Sequence, residues 1–397
     1  MLKNKNILLG VTGGIAAYKS AALVSKLRKT GANVKVIMTS SACEFISPLT
    51  FQTLSNNIVH TEMFNQLYNM DVEHISLAKW ADVFVIAPAS ANTIAKMANG
   101  IADNMLTTVF LASRSKVLVA PAMNTFMLNN EATIKNLKTL EDRGISILDT
   151  QSDVLACGDE GSGKMLEPED ILFEIESALT EKDLIGKKIV ITSGPTVEKI
   201  DPVRYLSNYS SGKMGYSLAK EAVKRGANVT LISGPTSLDI PNVNKFIRIE
   251  STLDMFDAVE SEFENADVLI KAAAPADYRP AKVSDEKIKK DAKEDLESIE
   301  LVHNPDIAKH FGNIKQKQLI IGFAAESQNE IEYGKGKLKK KNLDMIVVNN
   351  IKQKGAGFKS DTNIASIIDR DGNVDSLSIM SKECLAEEIL NRIVKLF

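Results

Sequence analysis

Cysteine is scarce: three residues in a chain of 397. That is too few for a disulfide framework and fits a reducing compartment, so a cytoplasmic location is expected. No charge of one sign dominates either, with 48 Lys and Arg against 51 Asp and Glu and a formal net charge of −3. A nucleic-acid binder would show a basic footprint, and none is present. No apolar run reaches the ~20 residues that span a bilayer. No basic run is long enough for a polybasic anchor, so neither nucleic acid nor a membrane is an expected partner. The opening "MLKNKNILLGVTGGIAA" has the basic, apolar, small order of a secretory signal. Gly10, Gly13 and Gly14 interrupt it, and a buried first strand followed by a glycine turn is expected instead.

Hydrophobic residues make up 44% and charged residues 25%, as in ordinary globular proteins. At roughly 150 residues per domain the length allows two or three domains. Short β-branched runs alternate with helix-like stretches. In the first half they are "NILLGVTG", "VKVIMTS", "DVFVIAPAS", "KVLVAPAM" and "ISILD". The pattern restarts at "KKIVITSGPT", continues through a helix read over 217–225, and then gives "GANVTLISGP", "DVLIKAAAPAD", "QLIIGFAAE", "DMIVVNN" and "ASIID". Continuous apolar strands separated by helices predict parallel sheets covered on both faces. The fold class is therefore α/β, with two doubly wound, mostly parallel, Rossmann-like domains at 1–180 and 186–397. The joints "TGANVKVIMTS" and "RGANVTLISGP" are near copies, from a distant duplication or from one βαβ solution used twice. The lysine-rich "AKVSDEKIKKDAKEDLESIE" reads as a solvated helix and loop.

In such sheets ligands bind at the carboxyl ends of the strands. In the first half those ends carry Gly13 and Gly14, then Thr39, Ser40 and Ser41, then Ser90, Asn92 and Thr93, then Asn124. Four neighbouring ends with small or hydrogen-bonding residues predict a site for a polar, phosphorylated ligand. "GDEGSGK", from Gly158 to Lys164, fits G-x-x-x-x-G-K. Met165 stands where a phosphate loop needs Ser or Thr, and Asp159 and Glu160 would repel phosphates, so a P-loop is rejected. The same acids would keep the Cys157 thiol protonated, which suits a proton donor. The glycines suit a loop that closes over a substrate. His60, His303 and His310 carry no motif and read as ordinary surface residues. Cys43 and Cys384 read as core or near-core.

"APASANT", "PAMN", "HISLAKWAD" and "ACGDEGSGKM" resemble the signature segments of the flavin-dependent cysteine decarboxylases. The resemblance implies FMN bound by Gly13, Gly14, Ile15, Thr39, Ser90, Ala91, Asn92, Thr93 and Ala122. It implies substrate contacts from Asn124 and Lys164, with His74 and Cys157 catalytic. In the second half "TSGPT", "DPVRYLSNYSSGKMG", "AAAPADY", "KIKK", "NPDIA" and "GFAAE" resemble the CTP-dependent phosphopantothenate–cysteine ligases. There Asn208 is implied to orient an acyl-cytidylate. Arg204, Ser210, Ser211, Gly212 and Lys213 are implied at the substrate. Asp277, Lys287, Asn304, Pro305, Asp306, Ile307, Ala308, Phe323, Lys337 and Lys341 are implied around CTP. Mg²⁺ is implied with the nucleotide, with no ligand residue assigned. Lys164, Ser193, Lys271, Pro275 and His303 depart from the common family residues.

Together the halves resemble the bifunctional coenzyme A biosynthesis family, with the decarboxylase in front and the ligase behind. The implied substrates are 4′-phosphopantothenate, cysteine, CTP and 4′-phosphopantothenoylcysteine. The implied route forms the amide through an acyl-cytidylate, releasing pyrophosphate and CMP. It then decarboxylates through a thioaldehyde and an ene-thiolate to 4′-phosphopantetheine. A homo-oligomer is implied, with trimeric decarboxylase units gathered into a dodecamer. Two rival functions share some motifs: a flavoprotein regulator that has lost catalysis, and a peptide-tailoring cysteine decarboxylase. Retention of both His74 and Cys157 argues against the first, and the ligase-like half against the second.

Overall fold

The computed structural model describes residues 2–64, 72–154, 160–288, 298–326, 328–350, 360 and 362–397. The chain divides into two compact units, Met1–Thr180 and Glu181–Phe397. Among the described residues no helix is long and apolar enough to cross a membrane.

The first unit is built on β1 (Asn6–Val11), β2 (Asn33–Met38), β3 (Val59–His60), β4 (Val83–Ala89), β5 (Lys116–Pro121) and β6 (Ser146–Ile147). They pair in the order β3-β2-β1-β4-β5-β6, all parallel, which is the doubly wound arrangement. Alternation along each strand feeds two apolar layers. Ile7, Leu9, Val11 and Val85 pack with helices Ala17–Lys29 and Pro168–Leu179. Leu8, Phe84 and Ile86 pack with helices Ala91–Asn99 and Met105–Ala112. The helix after β1 begins at Ala17 and ends with Lys26, Arg28 and Lys29, cations that suit its negative carboxyl end. An antiparallel hairpin follows, β7 (Thr150–Val154) and β8 (Glu160–Met165).

The second unit contains β9 (Lys188–Ser193), β10 (Val197–Lys199), β11 (Tyr205–Ser207), β12 (Asn228–Ser233), β13 (Lys245–Arg248), β14 (Val268–Lys271) and β15 (Tyr278–Pro280). It continues with β16 (Leu301–His303), β17 (Leu319–Glu326), β18 (Met345–Asn350), β19 (Thr362–Asn363), β20 (Ala365–Asp369), β21 (Val374–Ser376) and β22 (Met380–Ser381). The main sheet runs β13-β12-β9-β14-β17-β18-β20-β21. Its first six strands are parallel, while β20 and β21 are antiparallel. Three small pairs, β10–β11, β15–β16 and β19–β22, stand apart from it. As in the first unit, two apolar layers cover the sheet.

Two local expectations are corrected. The helix read over 217–225 spans Lys213–Lys224, because Gly212, at φ +77°, turns the chain directly into it. The described ends of the lysine-rich stretch are tied by the bonds Ala281 N–H to Glu300 O and Ser284 N–H to Ile200 O, and residues 289–297 of it lie outside the described residues. Gly161 and Gly163 lie in strand β8 rather than in a free loop, and no helix begins until Pro168.

After β12 the chain passes very close to Pro195. A Cβ on Gly234 would lie 1.7 Å from the Pro195 carbonyl oxygen, a clash with backbone that only a shift of one segment relieves. Gly234→Ala is therefore expected to destabilise the second unit by ~1–3 kcal/mol. Denaturant unfolding of the full chain measures this, and an unchanged midpoint would contradict it.

Candidate active sites

Each main sheet has one place where neighbouring strands connect to opposite sides, leaving their carboxyl ends uncovered by a crossing helix. In the first unit that place is β1/β4. Thr12, buried just beyond β1, donates from Oγ1 to the Pro88 carbonyl at 2.8 Å. It accepts from Ser90 N–H at 2.9 Å, so its one hydroxyl fixes both lips of the crevice. Gly13 is required by contact, since a Cβ there would lie 2.5 Å from Ser41 Cβ. Gly14 is different: a Cβ there would meet nothing within 4 Å, so the space above β1 is open. Ile15 is 63% exposed beside it.

The other strand ends close round this opening. Thr39 Oγ1 accepts from Ala42 N–H at 3.2 Å and caps the turn after β2. Ser90 caps helix Ala91–Asn99, accepting from Thr93 N–H at 3.4 Å. Thr93 is buried and its hydroxyl meets Ser90, so it shapes the cap, whereas Asn92 is exposed and Ala91 half-buried. Ala122 N–H donates to Ala89 O at 3.1 Å, holding the β5 end beside the β4 end. Asn124 Oδ1 accepts from Phe126 N–H at 2.8 Å. The start of helix Ala91–Asn99, with backbone donors left over from the helix, favours an anion.

Strand β8 is held against the β5 end. Met123 N–H donates to Gly163 O at 3.0 Å, and Thr125 Oγ1 to Ser162 O at 2.7 Å. Gly163 sits at φ +127°, and a Cβ there would lie 2.2 Å from Met123 O. The buried Lys19 donates from Nζ to Met165 O at 2.9 Å and to Glu167 Oε1 at 2.7 Å, pinning the end of β8 to the first helix. Lys164 is thereby placed on a strand beside Asn124's loop. Cys157, Gly158 and Asp159 lie outside the described residues.

His74 is half-buried in the first turn of helix Glu73–Trp80. Its neighbour Glu73 is fastened by His60, whose Nδ1 lies 2.6 Å from Glu73 Oε1. His60 is thus not an ordinary surface residue: its side chain is 11% exposed. Burial pushes its titration down, Glu73 pulls it back up, and Lys35 adds to the depression.

In the second unit the uncovered strand ends belong to β9 and β14. Asp201, its side chain fully enclosed, accepts from the backbone N–H of Val203 and Arg204, both at 2.8 Å. The Arg204 guanidinium contacts its carboxylate at 2.6 Å and also donates to Ile288 O at 3.2 Å. Arg204 chiefly, with the backbone N–H donors adding to it, holds the Asp201 carboxyl well below the usual carboxylate range against an opposing effect of burial. Ile288 N–H reaches the same carboxylate at 3.3 Å, so Arg204 and the segment carrying the exposed Lys287 are brought together. Asn208 donates from Nδ2 to the carbonyls of Ala274 and Pro275, at 3.2 and 3.0 Å, and so sits against the β14 end. Ser210 Oγ accepts from Gly212 N–H at 3.4 Å, and Ser193 Oγ donates to Gly212 O at 2.9 Å. Ser211 and Lys213 flank that glycine, half-buried at the helix start. The Ser193 departure therefore anchors the "SSGKMG" turn.

Glu198, 3% exposed, lies beneath this surface. It accepts from Thr252 N–H, Thr252 Oγ1 and Thr196 Oγ1 at 2.9, 2.7 and 3.0 Å. Thr196 Oγ1 in turn accepts from Ala276 N–H at 2.9 Å, fixing the loop that leads to the exposed Asp277.

On the β17 side, Asn304 donates to Ala276 O at 2.9 Å and receives Arg279 at 3.0 Å. Asp306 caps helix Ile307–Ile314 and pairs with Lys341 Nζ at 2.9 Å. Burial raises the Asp306 pKa, but Lys341, the Lys309 N–H and the charge of Lys271 outweigh it, so the net shift is down. Lys337 pairs with Glu326 at 2.6 Å. Pro305 and Phe323 are half-buried near these groups in sequence, while Ile307 and Ala308 face the core, so only their backbone is available to a ligand. His303 stacks on Tyr278 across the β15–β16 pair, ring centroids 4.6 Å apart. Thr12, Lys19, Glu198 and Asp201 escaped the sequence reading. For Lys19, Glu198 and Asp201 the available signal was a charged residue beside apolar ones, and Thr12 offered none.

The His60 pair gives a pH test. The fold favours neutral His60, so the unfolded chain binds the extra proton once pH falls below about 6.5. The contribution is present above that pH and lost below it. From about pH 7.5 to about 5.5 the thermal midpoint of His60→Gln should fall less than that of the unaltered protein. Equal falls would show that His60 does not titrate differently in the fold.

Comparison with known proteins matches a different family model to each half of the chain. A model of the family "Flavoprotein" matches residues 1–180, and one of the "DNA/pantothenate metabolism flavoprotein C-terminal domain" matches 184–397. The coenzyme A biosynthesis bifunctional protein CoaBC of Bacillus subtilis is 49% identical over 400 residues, covering 100% of this chain and 98% of that protein. Its counterpart in Vibrio cholerae is 45% identical over 394 residues, covering 99% and 98%. Among solved structures, the C-terminal domain of a CoaBC protein is 44% identical, with a TM-score of 0.47, covering 54% of this chain and 98% of that one. The chain belongs to the bifunctional coenzyme A biosynthesis family, enzymes that combine a phosphopantothenoylcysteine decarboxylase with a phosphopantothenate–cysteine ligase.

Proposed function

We propose that residues 1–180 hold FMN and decarboxylate 4′-phosphopantothenoylcysteine, and that residues 186–397 use CTP to make that substrate from 4′-phosphopantothenate and cysteine. The observation that carries the division is the pair of separate strand-end crevices, β1/β4 in one unit and β9/β14 in the other.

The first crevice fits a flavin phosphate. Gly14 leaves open space, and the Ser90-capped helix supplies backbone donors where a phosphate is favoured. FMN, when bound, supplies the redox chemistry that makes loss of CO₂ possible. Ile15 and Ala122 offer apolar contact, while Thr39 and Asn92 offer hydrogen bonds. Asn124 and Lys164 hold the substrate from the β5–β8 side. His74 acts as base, and Cys157 returns a proton to the carbon that has lost CO₂.

In the second crevice Asn208 and Arg204 orient the acyl-cytidylate, with Ser210, Ser211, Gly212 and Lys213 at the substrate. Asp277, Asn304 and the 305–308 turn surround the nucleotide, and Lys287, Lys337 and Lys341 meet its phosphates. We place Mg²⁺ on those phosphates rather than in a protein cage. Among the described residues no three His, Cys, Asp or Glu side chains gather to hold an ion. We further propose a homo-oligomer built on the first unit, whose exposed Leu49, Ile58 and Phe126 are available for contact, and a cytoplasmic location in keeping with the low cysteine count.

Heat release followed by mass spectrometry should yield FMN and not FAD. A colourless protein that FMN cannot reconstitute would sink the decarboxylase assignment. Separately, Asn208→Asp should impair CTP-dependent amide formation while supplied 4′-phosphopantothenoylcysteine still loses CO₂. Loss of both activities in a folded, FMN-replete variant would refute the division of labour.

A further inference from the structure

Lys271 is the one charged residue in a strand otherwise made of Val268, Leu269 and Ile270, all fully buried. It ends β14, at the edge of the second crevice. Alternation puts it on the Leu269 face, under helix Ile307–Ile314. Its lateral neighbours bring no charge: Thr192 on β9, whose hydroxyl is taken by Ala273 N–H, and Gly322 on β17, which has no side chain.

The charges that act on it come from elsewhere: Lys341 after helix Glu330–Lys340, Asp306 at the start of helix Ile307–Ile314, and Asp277 beyond β14. Asp306 is already paired with Lys341 at 2.9 Å and caps its helix. Among the described residues, Lys271 forms no hydrogen bond or ion pair. A half-buried ammonium without a counter-ion, beside a second lysine and a helix start, is costly. Burial first, then Lys341, pushes its titration down to about 8, against the pull of Asp306 and Asp277. Among the described residues no carboxylate pairs with it directly: Asp306 is taken by Lys341, and Asp277 acts through charge alone.

We propose that Lys271 is a phosphate-binding residue of the ligase site, pairing with the phosphates of the nucleotide alongside Lys341. This rests on the reading of the β9/β14 crevice as a CTP site. Binding an anion raises the lysine's affinity for its proton, so nucleotide uptake should draw protons from solution near pH 8. For the same reason affinity should fall as pH rises through about 8. The 4′-phosphopantothenate phosphate has the same chemistry, and the experiment separates the two.

The test is titration calorimetry of the full-length, FMN-loaded protein near pH 8, in buffers of different ionisation enthalpy, with CTP–Mg²⁺ and with 4′-phosphopantothenate. The unaltered protein should take up protons on binding CTP. Lys271→Met should bind CTP about tenfold or more weakly and lose that uptake. Lys271→Arg should recover much of the affinity but not the uptake, because guanidinium stays charged at this pH. Unchanged CTP affinity and uptake in Lys271→Met would overturn the inference alone. Weakened 4′-phosphopantothenate binding with CTP binding intact would overturn the nucleotide assignment of Lys271. An unaltered protein that binds no CTP would bring down the reading of the crevice, and the inference with it.

Discussion

Two parallel strands whose connections leave toward opposite faces of a sheet cannot have their shared carboxyl end roofed by either connection. The gap this leaves is the constraint on which both sites depend. In the first unit it opens at β1/β4, and one buried hydroxyl, Thr12, holds its lips at fixed separation through Pro88 and Ser90. In the second it opens at β9/β14, where Asn208 and the Thr196–Ala276 bond do the same work. Gly13, Gly14, Ser90 and Asn92 follow β1 and β4 directly, and Asp277 follows β14. The apolar strands supply rigidity, and the turns beyond them supply the donors.

Close backbone approach is the second device. Gly163 lets β8 come against Met123, and Gly215 lets the Lys213–Lys224 helix rest on Ser193, where a Cβ would fall 2.5 Å from the serine side chain. Neither glycine serves as a hinge at these contacts. Each removes a methyl-sized obstacle so that two binding segments share one rigid frame. Buried carboxylates complete the frame. Glu198 is satisfied by two hydroxyls and a helix-start N–H, and Asp201 by backbone N–H groups and Arg204, so neither is left as an unpaired interior charge.

How much of this could be read from the sequence follows from separation along the chain. The core strands were legible because a fully covered parallel sheet demands unbroken apolar runs, as in "DVFVIAPAS". Strands of two or three residues, such as β3, β19 and β22, have no period to detect. The start of the Lys213–Lys224 helix was hidden because a glycine at φ +77°, not Ser, Thr, Asp or Asn, precedes it. The ties of Ser284 and Ile288 to Ile200 and Asp201, more than eighty residues earlier, leave no local pattern to detect. The strand-end turns stood out through their motifs. Thr12, Lys19 and Glu198 did not, because their partners lie 76, 148 and 54 positions away. His60 was misread for the same reason, since Glu73 becomes its partner only when β3 and the helix start meet.

Lys19 and Lys271 show how burial sorts one residue type into two roles. Both enter apolar elements, and both leave water at a cost that hydrogen bonds must offset. Lys19 is paired within its unit with a carbonyl and a carboxylate, so its charge is compensated and it fastens β8. Lys271 ends at a crevice among groups that are already committed to one another: Asp306 to Lys341, Thr192 to Ala273. Moving Asp306 to Lys271 would only transfer the deficit to Lys341. Of the two carboxylates that act on Lys271, Asp306 is in direct contact with Lys341 and Asp277 acts through charge alone, so an arriving anion would give Lys271 its first direct partner. A site with two lysines held close in this way favours ligands carrying more than one negative charge, because both cations are in place before the ligand arrives.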